Sequence, residues 1–260
     1  MNTDRNGLRV RRESSRSKLA RRALERQLEY QEKKAVHLLG REEEVIAAMQ
    51  KSSRRVRELL EKYETIAEDA RVVEVGSGAH GLVFYFGAKH GVGVDPLAVS
   101  YRNLFPRWQS CAATIAAAGE RLPFANQSFD VVICDNVVDH AESPAGIVAE
   151  LVRVLRPGGL LYFTVNVHHP VYALAAGVHS GWRALGVSYE IGPFADHTTH
   201  LTLEAAKGLF AGLPLEILSQ KSDIDEARAR ARKQPARHLG DRLKRVFFKN
   251  ALFEVIGKRI

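Results

Sequence analysis

The sequence predicts an α/β fold, a mostly parallel sheet between helical layers, on three observations. The first is Val72-Val73-Glu74-Val75-Gly76-Ser77-Gly78-Ala79-His80-Gly81, an apolar β-branched run followed by glycines at 76, 78 and 81. That pattern reads as a buried strand, a tight turn and the start of a helix. The second is His90-Gly91-Val92-Gly93-Val94-Asp95, a short strand closing on an acid nineteen residues beyond Gly76. The third is Val131-Val132-Ile133-Cys134, continuously apolar between Asp130 and Asp135, as expected of a strand covered on both faces. Strands of this kind separated by helical stretches build parallel sheets.

Taken in order, residues 1–18 are polar, basic and serine-containing, and read as a disordered arm. Residues 19–68 are rich in Ala, Leu, Glu, Arg and Lys without proline, with apolar residues at roughly helical spacing, and read as an N-terminal helical cap. Two helices broken near Gly40 are expected there; the spacing is too irregular to favour a coiled coil. Residues 69–260 form the main domain. After Gly81 a helix is expected from Leu82 to about Lys89, then the strand ending at Asp95, and another helix from Pro96 carrying Tyr101, Leu104 and Phe105. Cys111–Ile115 reads as a short strand and Gly119–Asp130 as a polar loop. A helix starts at Pro144, suited to a first turn, and stops at Pro157-Gly158-Gly159. Leu203–Leu213 reads as a helix, Leu215–Leu218 as a strand, Ala227 to about Phe248 as a basic helix, and Phe253–Arg259 as a final strand.

Composition bounds the function. The chain has 260 residues, ordinary hydrophobic content, no apolar run long enough to span a bilayer, and a polar, arginine-rich start without the apolar core of a secretory signal. Cys111 and Cys134 sit in apolar sequence and read as buried free thiols, which fits a cytoplasmic location. The net charge of +8 belongs to the ends: residues 1–62 hold 17 Lys and Arg against 10 Asp and Glu, and 221–260 hold 12 against 5. Such ends suit nucleic acid, an anionic membrane surface, or nothing beyond solvated helices.

Glu74, at the carboxyl end of its strand, separates two readings of the glycine pattern. A carboxylate repels the pyrophosphate of a nicotinamide or flavin dinucleotide but attracts a cation. S-adenosylmethionine carries a sulfonium and an ammonium, and an acid at Asp95 suits the paired hydroxyls of its ribose. These residues resemble the cofactor half of class I S-adenosylmethionine-dependent methyltransferases. The block "LPFANQSFDVVICDNVVDHAESPAGIVAELVRVLRPGGLLYFTV", Leu122–Val165, resembles the quinone C-methyltransferase-like (type 11) subgroup in particular. The resemblance covers about 71–166. It implies a three-layer α/β/α Rossmann-like fold with a seven-stranded mostly parallel sheet, an antiparallel final strand and N-terminal helices. It also implies that the later of those helices, about 42–63, covers the cofactor.

By the same resemblance Glu74 faces the methionine end, Gly76, Ser77 and Gly78 line the turn, and Asp95 takes the ribose. Pro96, Glu120, Asp135, Asn136 and His140 are the other expected cofactor-lining positions. Competing readings are a solvated strand end for Glu74, a helix N-cap for Asp95 and a structural role for His140. The chain departs from the pattern at His80, where glycine is usual. It departs again at Ala118, where an Asp usually accepts from adenine; Glu120 is the compensating candidate. Residues 166–200 are expected to bind the methyl acceptor. They carry His168, His169, His179, His197 and His200 with Tyr172, Trp182, Tyr189 and Phe194. Imidazoles suit proton removal and aromatics suit an apolar or ring-shaped acceptor; His168, His169 and His200 are the general-base candidates. Structural histidines and a metal site compete, but the spacings match no compact ligand motif.

The leading expectation is therefore a methyltransferase acting on a small or lipid-like metabolite. Its competitors are an RNA methyltransferase recruited by the basic ends and a catalytically silent S-adenosylmethionine-binding module. Asp135-Asn136-Val137-Val138 lacks the Asn/Asp-Pro-Pro-Tyr-type tetrad of many base-N-methylating enzymes. A basic stretch over 237–256 suits either peripheral membrane contact or burial on the sheet.

Overall fold

The computed structural model describes residues 15–141, 143–171, 200–233, 247–248 and 250–260, without the side chains of 15–21, 23 and 140. Seven strands form one sheet in the order β3-β2-β1-β4-β5-β7-β6. They are β1 (Arg71–Val75), β2 (His90–Val94), β3 (Ala113–Ile115), β4 (Phe129–Asp135), β5 (Leu155–Val167), β6 (Leu215–Ser222) and β7 (Ala251–Arg259). The pairs β1–β2, β1–β4, β2–β3 and β4–β5 are parallel. β7 runs antiparallel between β5 and β6. The helices are α1 (Ser15–Leu38), α2 (Glu42–Leu60), α3 (Ala98–Leu104), α4 (Pro106–Gln109), α5 (Pro144–Val154), α6 (Leu203–Gly208) and α7 (Ile224–Lys233).

The two-residue period of the strands divides the core. Val73, Val75, Val132, Cys134, Leu161, Phe163 and Val165 face α5 through Ile147, Val148, Leu151 and Val154. Val72, Val131, Ile133, Leu160 and Tyr162 face Val56 and Leu60 of α2. Leu60 is fully buried, and sealing one such side chain contributes about 1.5–3 kcal/mol. Ser143 caps α5, its hydroxyl accepting from Gly146 N at 3.1 Å. At the other end of α5, Nη1 of Arg259 donates to the carbonyls of Val152 (2.7 Å), Arg153 (3.0 Å) and Leu155. The edge strand β3 is blunted by Arg102, whose Nη2 donates to Thr114 O at 2.9 Å.

Several expectations change. The helix expected over 82–89 is a single 3-10 turn, Leu82–Tyr85, packed under α2 by the bond from Ser53 Oγ to Leu82 O at 2.7 Å. The helix α5 ends at Val154, before Pro157-Gly158-Gly159, which lies inside β5 with Gly158 at φ +74°. Helix α6 stops at Gly208, and α7 begins at Ile224. Cys134 is buried but Cys111 is exposed, because it lies in the turn between α4 and β3. The break at Gly40 is as expected, with φ +78°, and the last four residues assigned to the arm already belong to α1; residues 1–14 lie outside the described part. Helix α2 is a sheet-covering helix. Helix α2 also reaches the glycine turn, with Met49, Val45 and Ile46 packed beside Ala79 and Val83, and α1 joins it there: Ala35 and Leu38 pack in the same cluster, Gln27 bonds the Tyr101 side chain, and Lys34 lies close enough to His80 to disfavour its protonation. No described helix is long and apolar enough to cross a membrane.

Candidate functional site

Between β1 and β4 the strand order reverses, so a crevice opens at the carboxyl ends of these strands. The glycine turn forms one wall. Gly76 has φ +75°, and a Cβ there would stand 2.3 Å from Cγ2 of Val137, so only glycine lets the β4 tip close on the turn. Gly78, at φ +53°, has no atom nearer than 3.9 Å to where its Cβ would be, which leaves room for a ligand against the backbone. The turn is tied down from behind. The amides of Gly76 and Ser77 donate to Val94 O at 2.7 and 3.1 Å. Trp108 Nε1 donates to Ala79 O at 2.7 Å, and Gln109 Nε2 donates to Gly78 O at 3.0 Å.

Three carboxyl groups converge on this turn from the ends of β1, β2 and β4. Glu74 is 2% exposed, and its Oε2 accepts from Val83 N at 2.8 Å. A Cβ on Gly81 would lie 2.6 Å from that oxygen, so the third glycine makes space for the acid. Burial pushes the Glu74 carboxyl up to about 8; the N–H groups of Val83 and Leu82 oppose this, while the charges of Asp135 and Asp95 add to it. Asp95 accepts from Leu97 N at 2.8 Å through Oδ1 and from Gly78 N at 3.1 Å through Oδ2. Burial raises its carboxyl too, against those two bonds. The turn-capping and ligand-facing readings of Asp95 are compatible, since each carboxylate oxygen has a second lone pair. Asp135 is exposed and accepts from the Thr164 hydroxyl.

Asn136 follows in the left-handed region at φ +58°, where Asn is among the few side chains tolerated. Ser77 is buried, and a Cβ on Gly93 would meet its hydroxyl at 2.6 Å. Pro96 is exposed in the turn before α3. Glu120 abuts the first turn of α5, its Cγ 4.0 Å from where a Cβ on Gly146 would stand. His140 ends the 3-10 turn Val138–His140; its side chain lies outside the described part. His80 replaces the usual glycine by filling an aromatic niche, 5.1 Å from Phe105 and 5.4 Å from Trp108 between ring centroids. Burial, with the Lys34 charge, lowers it to about 4 and keeps it neutral.

The histidine candidates separate. His168, fully buried at the end of β5, lies 4.9 Å from His200 between ring centroids. His169 instead packs on Phe247 and Phe248, at 4.8 and 5.6 Å. Phe248 is buried in the core, which favours burial over membrane contact at that point of the 237–256 stretch; 237–246 lie outside the described residues. So do Tyr172, His179, Trp182, Tyr189, Phe194 and His197. Among the described residues no group of three or more His, Cys, Asp or Glu side chains is arranged to hold a metal. Two cavities, about 440 and 420 Å³, lie elsewhere: beside Arg54, Arg57 and Tyr85, and at the amino ends of the strands around Arg71, His90 and Arg156. Neither touches the acids. The sequence reading missed Trp108, Gln109, Val137 and Asn166; a tryptophan-glutamine pair closing a short helix was the one visible signal.

Residues 73–163 match the family described as methyltransferase domain. The chain is 34% identical over 106 residues to an uncharacterized methyltransferase of Mycolicibacterium gilvum, covering 40% of this chain and 42% of that protein. It is 30% identical over 162 residues to the malonyl-(acyl-carrier protein) O-methyltransferase of Enterobacter lignolyticus, covering 62% of this chain and 60% of that one. The chain thus spans about half the length of the curated relatives it matches. Among solved structures, geranyl diphosphate C-methyltransferase from Streptomyces coelicolor, in complex with Mg2+, geranyl diphosphate and S-adenosyl-L-homocysteine, superposes with a TM-score of 0.54 at 15% identity. The alignment covers 84% of this chain and 83% of that one, a likeness of fold.

Proposed function

Because residues 73–163 match the methyltransferase-domain family, we propose that the chain is a class I S-adenosylmethionine-dependent methyltransferase that transfers a methyl group from S-adenosylmethionine to a small or lipid-like metabolite. The observation that carries the reading is the mutual proximity of Glu74, Asp95 and Asp135 at the glycine turn, where Asp95 is bonded to the amide of Gly78 and Gly78 leaves its Cβ side open. Three carboxyl groups around bare backbone suit a cation with a ribose attached and disfavour a dinucleotide pyrophosphate. Bound there, S-adenosylmethionine supplies an electrophilic methyl group and its own leaving group.

The chain's residues then have to hold, align and deprotonate. Asp95 keeps lone pairs for the two ribose hydroxyls beyond those given to Leu97 and Gly78. Glu74 and Asp135 balance the positive charge at the methionine end. Pro96 and Glu120 border the adenosine side, where Ala118 offers no side-chain acceptor. An acceptor hydroxyl or thiol loses its proton as the new bond forms, and the His168–His200 pair at the end of β5 is the group we assign to receive it. The α1–α2 segment covers the site from the side of His80. A metabolite acceptor is supported by the acceptor named for one relative, malonyl-(acyl-carrier protein).

Calorimetric titration of S-adenosylmethionine tests the reading. Binding that weakens at least about tenfold in Asp95→Asn, the loss of a charged hydrogen-bond acceptor, is expected. No heat at millimolar ligand would refute it.

A further inference from the structure

Of the two cavities, the one of about 440 Å³ carries a sign. It is bounded by Gln50, Arg54 and Arg57 of α2 and by Tyr85, Phe86 and Gly87 of the chain leading into β2. Among the described residues no carboxylate lines it. The other cavity mixes Glu64, Asp69 and Asp130 with Arg71, Arg156 and His90, and so favours neither charge. Burial, with Cys111 beside it, pushes the Tyr85 phenol up to about 12, so it adds no negative charge near neutral pH.

The two arginines are held differently. Arg57 is fixed: Nε donates to Glu61 Oε1 at 2.9 Å, Nη1 to the carbonyls of Phe86 (3.1 Å) and Gly87 (2.9 Å), and Nη2 to Ile66 O at 2.7 Å. These bonds leave one N–H of its guanidinium, on Nη2, unspent. Glu61 offsets its charge. Arg54, one turn earlier, is exposed and has no hydrogen bond or ion pair among the described residues. The cavity therefore keeps an excess positive charge on Arg54 beside a guanidinium that cannot move away.

The backbone adds a donor. Phe86 is right-handed helical (φ −68°, ψ −18°) and Gly87 has φ +78°. That succession turns neighbouring N–H groups towards one side, the concavity in which main chain holds anions. The Gly87 N–H donates to no backbone acceptor among the described residues. A Cβ at Gly87 would stand 3.3 Å from Arg57 Nη1, so glycine also lets the guanidinium close on the turn. Gly87 lies just before β2 and Asp95 just after it, which places the cavity and the cofactor crevice at opposite ends of that strand.

We propose that this cavity binds a phosphate group, with the Arg54 guanidinium supplying charge and Arg57 Nη2 and the Gly87 N–H supplying fixed donors. Guanidinium and backbone N–H groups make charge-assisted bonds to phosphate oxygens. The volume lies within the range of small-molecule sites, about 300–1,000 Å³, and leaves room for a small organic body on the phosphate. The site is separate from the crevice at Gly78 and does not depend on the methyltransferase reading.

The test uses the full chain, 15N-labelled, titrated with inorganic phosphate and in parallel with glycerol 3-phosphate, at an ionic strength held constant with chloride. Saturable shifts of the Gly87 amide and of the Arg57 Nε–H signal are expected. Tighter binding of glycerol 3-phosphate assigns the site to a phosphate carried on an organic body, and equal binding assigns it to the free anion. Arg54→Gln, which has no partner to lose in the folded chain, should weaken binding about tenfold or more, and Arg54→Glu should abolish saturation. Shifts that rise without saturating, or that chloride alone reproduces, would overturn the proposal. So would saturable binding that survives unchanged in Arg54→Glu, or a saturable shift at the Gly78 amide with Gly87 unmoved, which would put the anion in the cofactor crevice.

Discussion

Replacing Glu74 by Gln removes a charge without changing the shape of the site. The effect should depend on pH in a way that follows from burial. With its carboxyl raised to about 8, Glu74 is about 1% ionised at pH 6 and about half ionised at pH 8. If the cation is held by the ionised form, wild-type affinity carries that fraction as a factor and the Gln variant does not. The ratio of the variant's Kd for S-adenosylmethionine to the wild type's should then rise about fifty-fold between pH 6 and pH 8, close to 2.3 kcal/mol. Taking the ratio cancels titration of the ligand's own ammonium. Calorimetry of both proteins at half-unit pH steps measures it. A ratio that stays flat, or a Gln variant that binds more tightly throughout, would refute the claim that Glu74 recognises charge.

The same carboxyl should govern stability. In the folded chain it holds a proton up to about pH 8, whereas a free Glu loses it near 4.5. Stability should therefore fall as pH rises through that window, by up to about 5 kcal/mol, and Glu74→Gln should flatten the fall in urea denaturation at pH 5 and pH 8. Gly76→Ala should lower stability by about 2–4 kcal/mol from positive φ and the clash with Val137, and Val137→Ala should recover part of it in a double-mutant cycle read by thermal melting. Arg259→Met should cost about 1–2 kcal/mol by uncapping the end of α5, while S-adenosylmethionine affinity stays unchanged.

The central block was legible because strands covered on both faces leave unbroken apolar runs, as in Val131–Cys134 and Leu160–Val165. The glycine turn was legible because its φ values and close approaches admit no other residue. What stayed hidden came from partners distant in sequence. Leu82–Lys89 has a helical composition, but the turn there starts where Glu74 takes the Val83 and Leu82 amides, and it ends within four residues. The reach of α1 to Tyr101 and His80 depends on how the chain reverses at Gly40, which periodicity does not encode. The bonds that tie Asn136 to Asn166 of β5 likewise join residues far apart in the chain, which local sequence does not reveal.

The placement of β7 bears on how the chain is made. Residues 251–259 are synthesised after β6 yet lie between β5 and β6, and among the described residues β6 pairs with no other strand. Until residue 259 has cleared the ribosomal exit tunnel, the nascent chain carries β5 with one bare flank and β6 with nothing to pair with. Completion of the sheet therefore waits until β7 has emerged, when its long-range pairings with β5 and β6 can form. In that interval the exposed flanks are the surfaces on which holdase chaperones would act.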